Sequence, residues 1–99
     1  MNEKKLSLWG RPLVRIDPDS IEKATWKKDS KKYRYTLSDP QFEASVWQSE
    51  VDHRWIISIC TPLFLGTLGD RFASLEKAQT EALRVLAYEI ESFNNKLTA

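Results

Sequence analysis

Three segments in the middle of the chain alternate apolar and polar residues with a period of two. They cover residues 31–37, 41–48 and 53–61, and aromatic and β-branched side chains are frequent in all of them. Because successive side chains of a strand point to opposite faces, this pattern predicts three β-strands. Turn-forming residues at 38–40 and 49–52 separate the segments, so we expect consecutive hairpins and an antiparallel meander.

Matching the faces of neighbouring strands predicts a register for this meander. Leu37 is placed opposite Phe42, and Val46 opposite Trp55, so that apolar side chains meet on one face. The other face is expected to be open to solvent, with Trp47 opposite Arg54. That solvent face is predicted to carry Lys32, Arg34, Glu43, Ser45, Trp47, Arg54 and Ile56.

The C-terminal part of the chain has the pattern of one long amphipathic helix. Ser74 is the candidate N-cap, and the run from Leu75 to about Lys96 contains neither glycine nor proline. Its apolar residues recur at helical spacing, which predicts about six turns packed on one face of the sheet. The expected core brings Tyr33, Tyr35, Phe42, Val46, Trp55, Ile57 and Ile59 against Leu75, Ala82, Leu86, Ile90 and Phe93.

These elements predict a single α+β domain over residues 1–99: an antiparallel meander of three or four strands followed by one long C-terminal helix, at about 74–97. Residues 66–70 are interpreted as a turn or a short extra hairpin. The first 30 residues leave alternatives open. Residues 13–16 have the pattern of an edge strand, and Asp17-Pro18 that of a helix start. A short helix over residues 19–25 and a further strand over 24–28 are both compatible with the pattern.

Composition excludes several classes of protein. Of the 99 residues 41% are hydrophobic, which argues against a disordered chain. The net charge of +1 argues against a strongly basic protein that binds nucleic acid or membranes. One cysteine excludes a disulfide framework and a cysteine-rich zinc module. We find no signal peptide, lipidation motif or membrane-spanning stretch, so we expect a cytoplasmic protein.

The sequence offers no catalytic, cofactor or metal site. His53 and Cys60 are the one histidine and the one cysteine, and seven positions along one strand would place them about 23 Å apart on opposite faces. That separation excludes a Cys–His dyad, and the two residues are too few for a closed zinc site. Nothing supplies a nucleophile, a base and an orienting group together, so we expect no enzyme.

Charge is distributed unevenly, and it suggests two kinds of partner. Residues 1–34 hold ten Lys and Arg against five Asp and Glu, whereas residues 35–99 hold five against nine. The leading hypothesis is a protein-interaction module of adaptor or inhibitor type, and the chain is a homodimer candidate. It would bind through the open sheet face, or through helix glutamates Glu76, Glu81, Glu89 and Glu91. The alternative is nucleic-acid binding through Lys27, Lys28, Lys32, Arg34, Trp47 and Arg54, although such charges often only solvate a face and protect an edge.

Residues 65–68, followed by Phe72–Ala78, resemble the strand end and helix start of plant AP2-type and phage integrase arm-type DNA-binding domains. The resemblance covers about a quarter of the chain. It implies DNA binding through a basic sheet face, where Arg34 and Arg54 fit the arginine-rich pattern and Glu43 departs from it. Small size and the lack of catalytic residues also suit an accessory protein of a phage or mobile element.

Overall fold

The computed structural model describes residues 13–29 and 33–98. In chain order the elements are α1 (Ser20–Lys23), β1 (Trp26–Asp29), β2 (Arg34–Asp39), β3 (Phe42–Gln48), β4 (Trp55–Thr61), β5 (Phe64–Phe72) and α2 (Leu75–Thr98). The strands form one antiparallel sheet in the order β1-β2-β3-β4-β5, and α2 packs across β4, β3 and β5. The predicted α+β class and meander are confirmed, with five strands in place of three or four.

The predicted hairpin registers are wrong by two residues, although both keep the correct faces. Leu37 pairs with Ala44, not Phe42, and Val46 pairs with Ile57, not Trp55. In the first hairpin the turn is shorter than expected, because Asp39 still pairs with Phe42 across the two intervening residues. The Asp39 carboxylate accepts a hydrogen bond from the N–H of Gln41, 2.9 Å away, which closes this tight turn.

Residues 66–70, interpreted from the sequence as a turn or a short extra hairpin, instead lie within the nine-residue strand β5. The register against β4 slips here: Ile56 pairs with Arg71, but Ser58 pairs with Thr67. Three residues of β5 therefore lie opposite the single residue Ile57, which is a β-bulge. Gly66, Gly69 and Asp70 disfavour strands by propensity, and tertiary pairing overrides that preference.

Both predicted alternatives for the N-terminal part occur, one after the other. The helix is α1, shorter than residues 19–25, and it is followed by strand β1. The edge strand predicted for residues 13–16 is wrong, because these residues form no strand. The Asp17 carboxylate accepts the N–H of Asp19 in a turn, so the helix begins after Pro18 rather than at it.

The core lies between α2 and one face of the sheet, which we call the inner face. Its buried apolar residues are Ile16, Leu37, Phe42, Ala44, Val46, Trp55, Ile57, Ile59, Ala78, Ala82, Leu86, Ile90 and Phe93. Tyr35 and Leu75 are half-buried and pack against this cluster. The prediction of Tyr33 as a core residue is wrong: it is 67% exposed, because it precedes the first residue of β2.

The helix α2 begins as predicted. The Ser74 hydroxyl accepts the N–H of Lys77 at 3.1 Å, the hydrogen bond of an N-cap. The helix runs through 24 residues and turns its small and large apolar side chains toward the sheet. Among the described residues, no helix has the length and apolar character needed to cross a membrane.

One side chain ties the N-terminal segment to the far end of α2. The Asn94 amide accepts the N–H of Ile16 at 2.9 Å and donates to the carbonyl of the same residue at 2.8 Å. It therefore satisfies both backbone groups of a residue whose side chain is fully buried. This pair of bonds replaces the strand pairing that residues 13–16 lack.

We predict that Asn94→Ala lowers the free energy of unfolding by about 1–3 kcal/mol, because both backbone groups of Ile16 lose their partner. Asn95→Ala removes the next amide along the helix, which is exposed, and should cost less than about 0.5 kcal/mol. Urea unfolding followed by circular dichroism measures both. Equal losses in the two variants would contradict this role of Asn94.

The two glycines of β5 differ in what surrounds them. A Cβ added at Gly66 would lie 3.0 Å from the Cζ of Phe64, whose ring covers this glycine, whereas a Cβ at Gly69 would have nothing within 4 Å. An aromatic ring that covers a strand glycine compensates for its missing side chain. The close approach of Phe64 therefore requires glycine at position 66 and not at position 69.

We expect Gly66→Ala to be less stable than Gly69→Ala by about 1 kcal/mol, since only the first displaces a packed ring. Gly69→Ala should be neutral or slightly stabilising, because it restricts the unfolded chain without a clash. Thermal unfolding of the two variants measures the difference. In a Phe64→Leu background the difference should shrink, and its persistence there would argue against the ring as the cause.

Candidate interaction surface on the open sheet face

The face of the sheet opposite α2, which we call the outer face, carries the candidate site. No described helix lies over it, since the packing of α2 and of Ile16, Ile21 and Ala24 is all with the inner-face cluster. Strand alternation decides which side chains it presents: those that alternate with the buried residues of β2, β3 and β4. The burial of every second residue in the core therefore determines which residues lie on the outer face.

An aromatic and basic row crosses the outer face. Cross-strand pairing aligns five side chains from one edge of the sheet to the other: Asp29, Arg34, Trp47, Ile56 and Arg71. The guanidinium carbon of Arg34 lies 4.8 Å from the centroid of the Trp47 ring, within the range of a cation–π interaction. Among the described residues, Arg34 forms no ion pair.

A second row, next to the first, is made of hydroxyls. It aligns Lys27, Thr36, Ser45, Ser58 and Thr67. The hydroxyl oxygens of Thr36 and Ser45 are 3.4 Å apart, and those of Ser58 and Thr67 are 3.2 Å apart. Small side chains here leave a depression of about 180 Å³ beside the Arg34–Trp47 stack, with Glu43, Cys60 and Leu65 at its other end. It has the size to admit one side chain of a partner.

The structure brings together part of the predicted site. Arg34, Trp47 and Ile56 share the aromatic and basic row, and Lys27 joins the neighbouring row. Arg54 lies one residue before β4, beyond the strand end, so the predicted pairing with Trp47 is wrong and Ile56 takes that position. The cause is the two-residue difference between the predicted and the observed register of β3 and β4.

One predicted nucleic-acid contact lies away from this face, and another is not among the described residues. Lys28 pairs with Tyr35, an inner-face residue, and its Nζ lies 5.9 Å from the ring centroids of both Tyr33 and Tyr35. It is therefore not brought together with Arg34. Lys32 lies outside the described residues. Arg71, Leu65 and Thr67 of β5 were not predicted for this face, because Gly66 and Gly69 have the pattern of a turn.

The helix glutamates do not form one acidic stripe. At about 100° of rotation per residue, Glu81, Glu89 and Glu91 lie about 140°, 220° and 60° around the helix axis from Glu76. Glu76 and Glu91 are exposed, whereas Glu81 and Glu89 are half-buried. Glu81 is also ion-paired with Arg84, whose guanidinium lowers the pKa of the Glu81 carboxyl. Of the two predicted surfaces, the outer sheet face is therefore the one whose residues lie close together.

The loop between β3 and β4 borders the outer face and is held by its own polar groups. Ser49 N–H donates to the Arg54 carbonyl at 2.8 Å, and the Asp52 carboxylate accepts the N–H of Arg54 at 3.0 Å. Asp52 also forms an ion pair with Arg71 of β5, with 3.0 Å between nitrogen and oxygen. Within this loop His53 adopts a left-handed backbone with φ of 59°.

Neither the histidine nor the cysteine belongs to an arrangement with evident chemistry. His53 lies in this loop rather than on β4, since the strand begins at Trp55. Cys60 is half-buried on the outer face, where its cross-strand neighbours are Glu43 and Leu65. Across residues 13–29 and 33–98 no group of three or more His, Cys, Asp or Glu side chains is placed to hold a metal ion.

No family model, no curated protein and no solved structure matches this chain. The partial resemblance to plant and phage DNA-binding domains therefore stays a prediction.

The hydrogen bond from the Arg54 backbone, together with Arg71, lowers the pKa of Asp52 below its usual value of 3.8. A carboxyl whose pKa is lower in the folded state stabilises the fold above its unfolded pKa, and that stabilisation is lost as the pH falls through the folded pKa. Asp52 therefore contributes at neutral pH and ceases to do so in acid.

We predict that Asp52→Asn unfolds at lower urea than the wild type at about pH 7, and that the gap closes at about pH 2–3. The asparagine oxygen can still accept from Arg54, so the variant isolates the charge. Glu50→Gln, in the same loop, removes an equal charge from an exposed position and serves as the control. An unchanged gap at the lower pH would refute the assignment.

Proposed function

We propose that this chain is a non-catalytic protein-interaction module, of adaptor or inhibitor type, that binds a partner protein through the outer face of its sheet. The observation that carries the proposal is the Arg34–Trp47 stack, with Ile56 beside it, on a face that no described element covers. The single cysteine favours a cytoplasmic partner. An accessory role in a phage or mobile element fits the small size of the chain.

The composition of the outer face favours a protein partner. Tryptophan and arginine are the residue types most enriched among those that dominate binding energy at protein interfaces. Trp47 and Ile56 are half-buried, so their positions are already fixed and little side-chain entropy is lost when a partner binds. Apart from Lys27 at the β1 end, the hydroxyl row beside them carries only serine and threonine side chains, so a partner surface can approach the middle of the sheet closely.

The charges on this face define the chemistry of the partner. Arg34 has one face on the Trp47 ring and no ion pair with a described residue, so it can receive a carboxylate from the partner. At the other end of the depression Leu65 and Cys60 lie beside Glu43, and we infer that an apolar side chain of the partner packs on Leu65. We infer a partner segment with one apolar anchor next to one acidic residue.

Nucleic-acid binding is the second candidate, and the same stack favours it. Lys27 and Arg34 lie on the outer face and Arg54 at its border, next to an aromatic ring on which a base can stack. Acidic groups weigh against it, because Asp29 and Glu43 share the face, and Asp52 pairs with Arg71. A mixed-charge surface attracts phosphate less than a uniformly basic one.

We predict that Trp47→Ala weakens partner binding at least about tenfold while the fold is kept. The chain, immobilised, would be used to isolate a partner, which is then identified, purified and titrated by calorimetry at about 50 and 200 mM salt. Arg34→Ala should weaken binding mainly at the lower salt. Lys77→Ala, on the exposed side of α2, serves as the control.

The same titrations distinguish the candidates. Binding whose affinity is kept at the higher salt concentration and is lost in Trp47→Ala supports a protein partner. If instead labelled DNA or RNA binds with about micromolar affinity, and anisotropy shows a loss of orders of magnitude between the two salt concentrations, the nucleic-acid function replaces it. Full affinity of Trp47→Ala for the purified partner would contradict the assigned surface.

A further inference from the structure

The two edges of the sheet differ in how they are protected against pairing with another strand. The β1 edge is four residues long, and three of them are charged and exposed: Lys27, Lys28 and Asp29. Short length and lysines are common devices that prevent edge-to-edge association. The β5 edge is nine residues long and contains no lysine. Within the described part of the chain, no strand lies beyond β5.

The β5 edge also lies in an uncharged part of the chain. Although 29% of all residues are charged, the run from Trp55 to Gly69 contains no charge at all. Leu65 on β5 is 49% exposed, and Leu63 in the preceding turn is 46% exposed. The first six residues of β5, 64–69, thus form an uncharged and partly apolar edge, on which another strand can add backbone hydrogen bonds.

The first half of β5 is complementary to itself. Phe64 and Leu68 turn toward the inner-face core, and Gly66 lies midway between them. If two such strands pair antiparallel about a two-fold axis at Gly66, each Phe64 faces the Leu68 of the other copy, and Leu65 faces Thr67. An aromatic side chain opposite an aliphatic one is a favourable cross-strand pair, and a two-fold axis forms it twice.

The second half of β5 limits how far such pairing extends. The bulge at residues 68–70 bends the strand, and Asp70 and Arg71 introduce charge directly after it. A ladder centred on Gly66 is therefore confined to residues 64–68. This short contact buries less surface than the ~1,200–2,000 Å² of a standard interface, which predicts a weak, concentration-dependent dimer.

We propose that the β5 edge is a self-association site, at which the β5 strand of a second copy pairs antiparallel to form one continuous sheet. This goes beyond the proposed function, because the outer face and its Arg34–Trp47 stack stay open in both copies. Trp47 distinguishes the two proposals, since it lies outside residues 64–68; Leu65 belongs to both, because it also lines the depression on the outer face.

The test is the molar mass in solution between about 5 and 500 µM, measured by light scattering and by sedimentation. The wild type should move from the 11.5 kDa of one chain toward twice that mass. Leu65→Lys should stay monomeric throughout, because the two-fold axis brings the two introduced charges close together. Val51→Lys, at a 90% exposed loop position, and Trp47→Ala are controls that should still dimerise.

The register is tested by cross-linking in a Cys60→Ser background, which removes the native thiol next to Leu65. A mixture of Leu65→Cys and Thr67→Cys chains should form a disulfide-linked heterodimer faster than either variant alone, since these positions face each other across the axis. Hydrogen exchange of residues 64–68 in the wild type should slow as the concentration rises.

Three outcomes would overturn the proposal. One is a wild type that stays monomeric up to the highest concentration. Another is a dimer that survives Leu65→Lys but is lost in Trp47→Ala, which would transfer self-association to the outer face. The third is a monomer whose amides at residues 64–68 become protected only when an extended peptide is added, which would make a peptide the occupant of this edge. Circular dichroism of Leu65→Lys establishes that a loss of mass is not a loss of fold.

Discussion

The packing of α2 against the inner face of the sheet is the interaction on which the other features depend. Ala78 and Ala82 have no exposed surface, so the helix backbone lies close to the strands, while Leu86 and Ile90 fill the space farther along. Because α2 covers one face of the sheet, every second residue of β3 and β4 lies in the core. The remaining residues of those strands are then assigned to the outer face, where the Arg34–Trp47 stack lies.

Alternation predicted the faces of the sheet from sequence, but it could not predict the register. A shift of two residues leaves every apolar side chain on the same face, so the patterns for Leu37 opposite Phe42 and Leu37 opposite Ala44 are equally good. Only the geometry of the turn distinguishes them, and that depends on the hydrogen bond from Gln41 to Asp39. The same ambiguity of two residues explains why Ile56, and not Arg54, lies opposite Trp47.

The candidate site was predictable to the extent that its strands were. Arg34, Trp47 and Ile56 lie on strands with clear alternation, so their common face was predicted, whereas the pairing of Trp47 with Arg34 and Ile56 was not. The contribution of β5 was hidden because Gly66 and Gly69 resemble turn residues, and only the tertiary pairing with β4 makes them part of a strand. The position of Lys28 on the inner-face side could not be deduced while the N-terminal part allowed both a helix and a strand.

The hydrogen bonds between Ile16 and Asn94 join residues 78 positions apart in the chain. On the ribosome, Ile16 emerges long before its partner is made, and the meander is complete before α2 can cover it. Contacts this distant in sequence slow folding, because a large loop must close before they form. The inner-face side chains of β3 and β4 are therefore exposed during synthesis, and the nascent chain needs shielding at that stage more than the finished protein does.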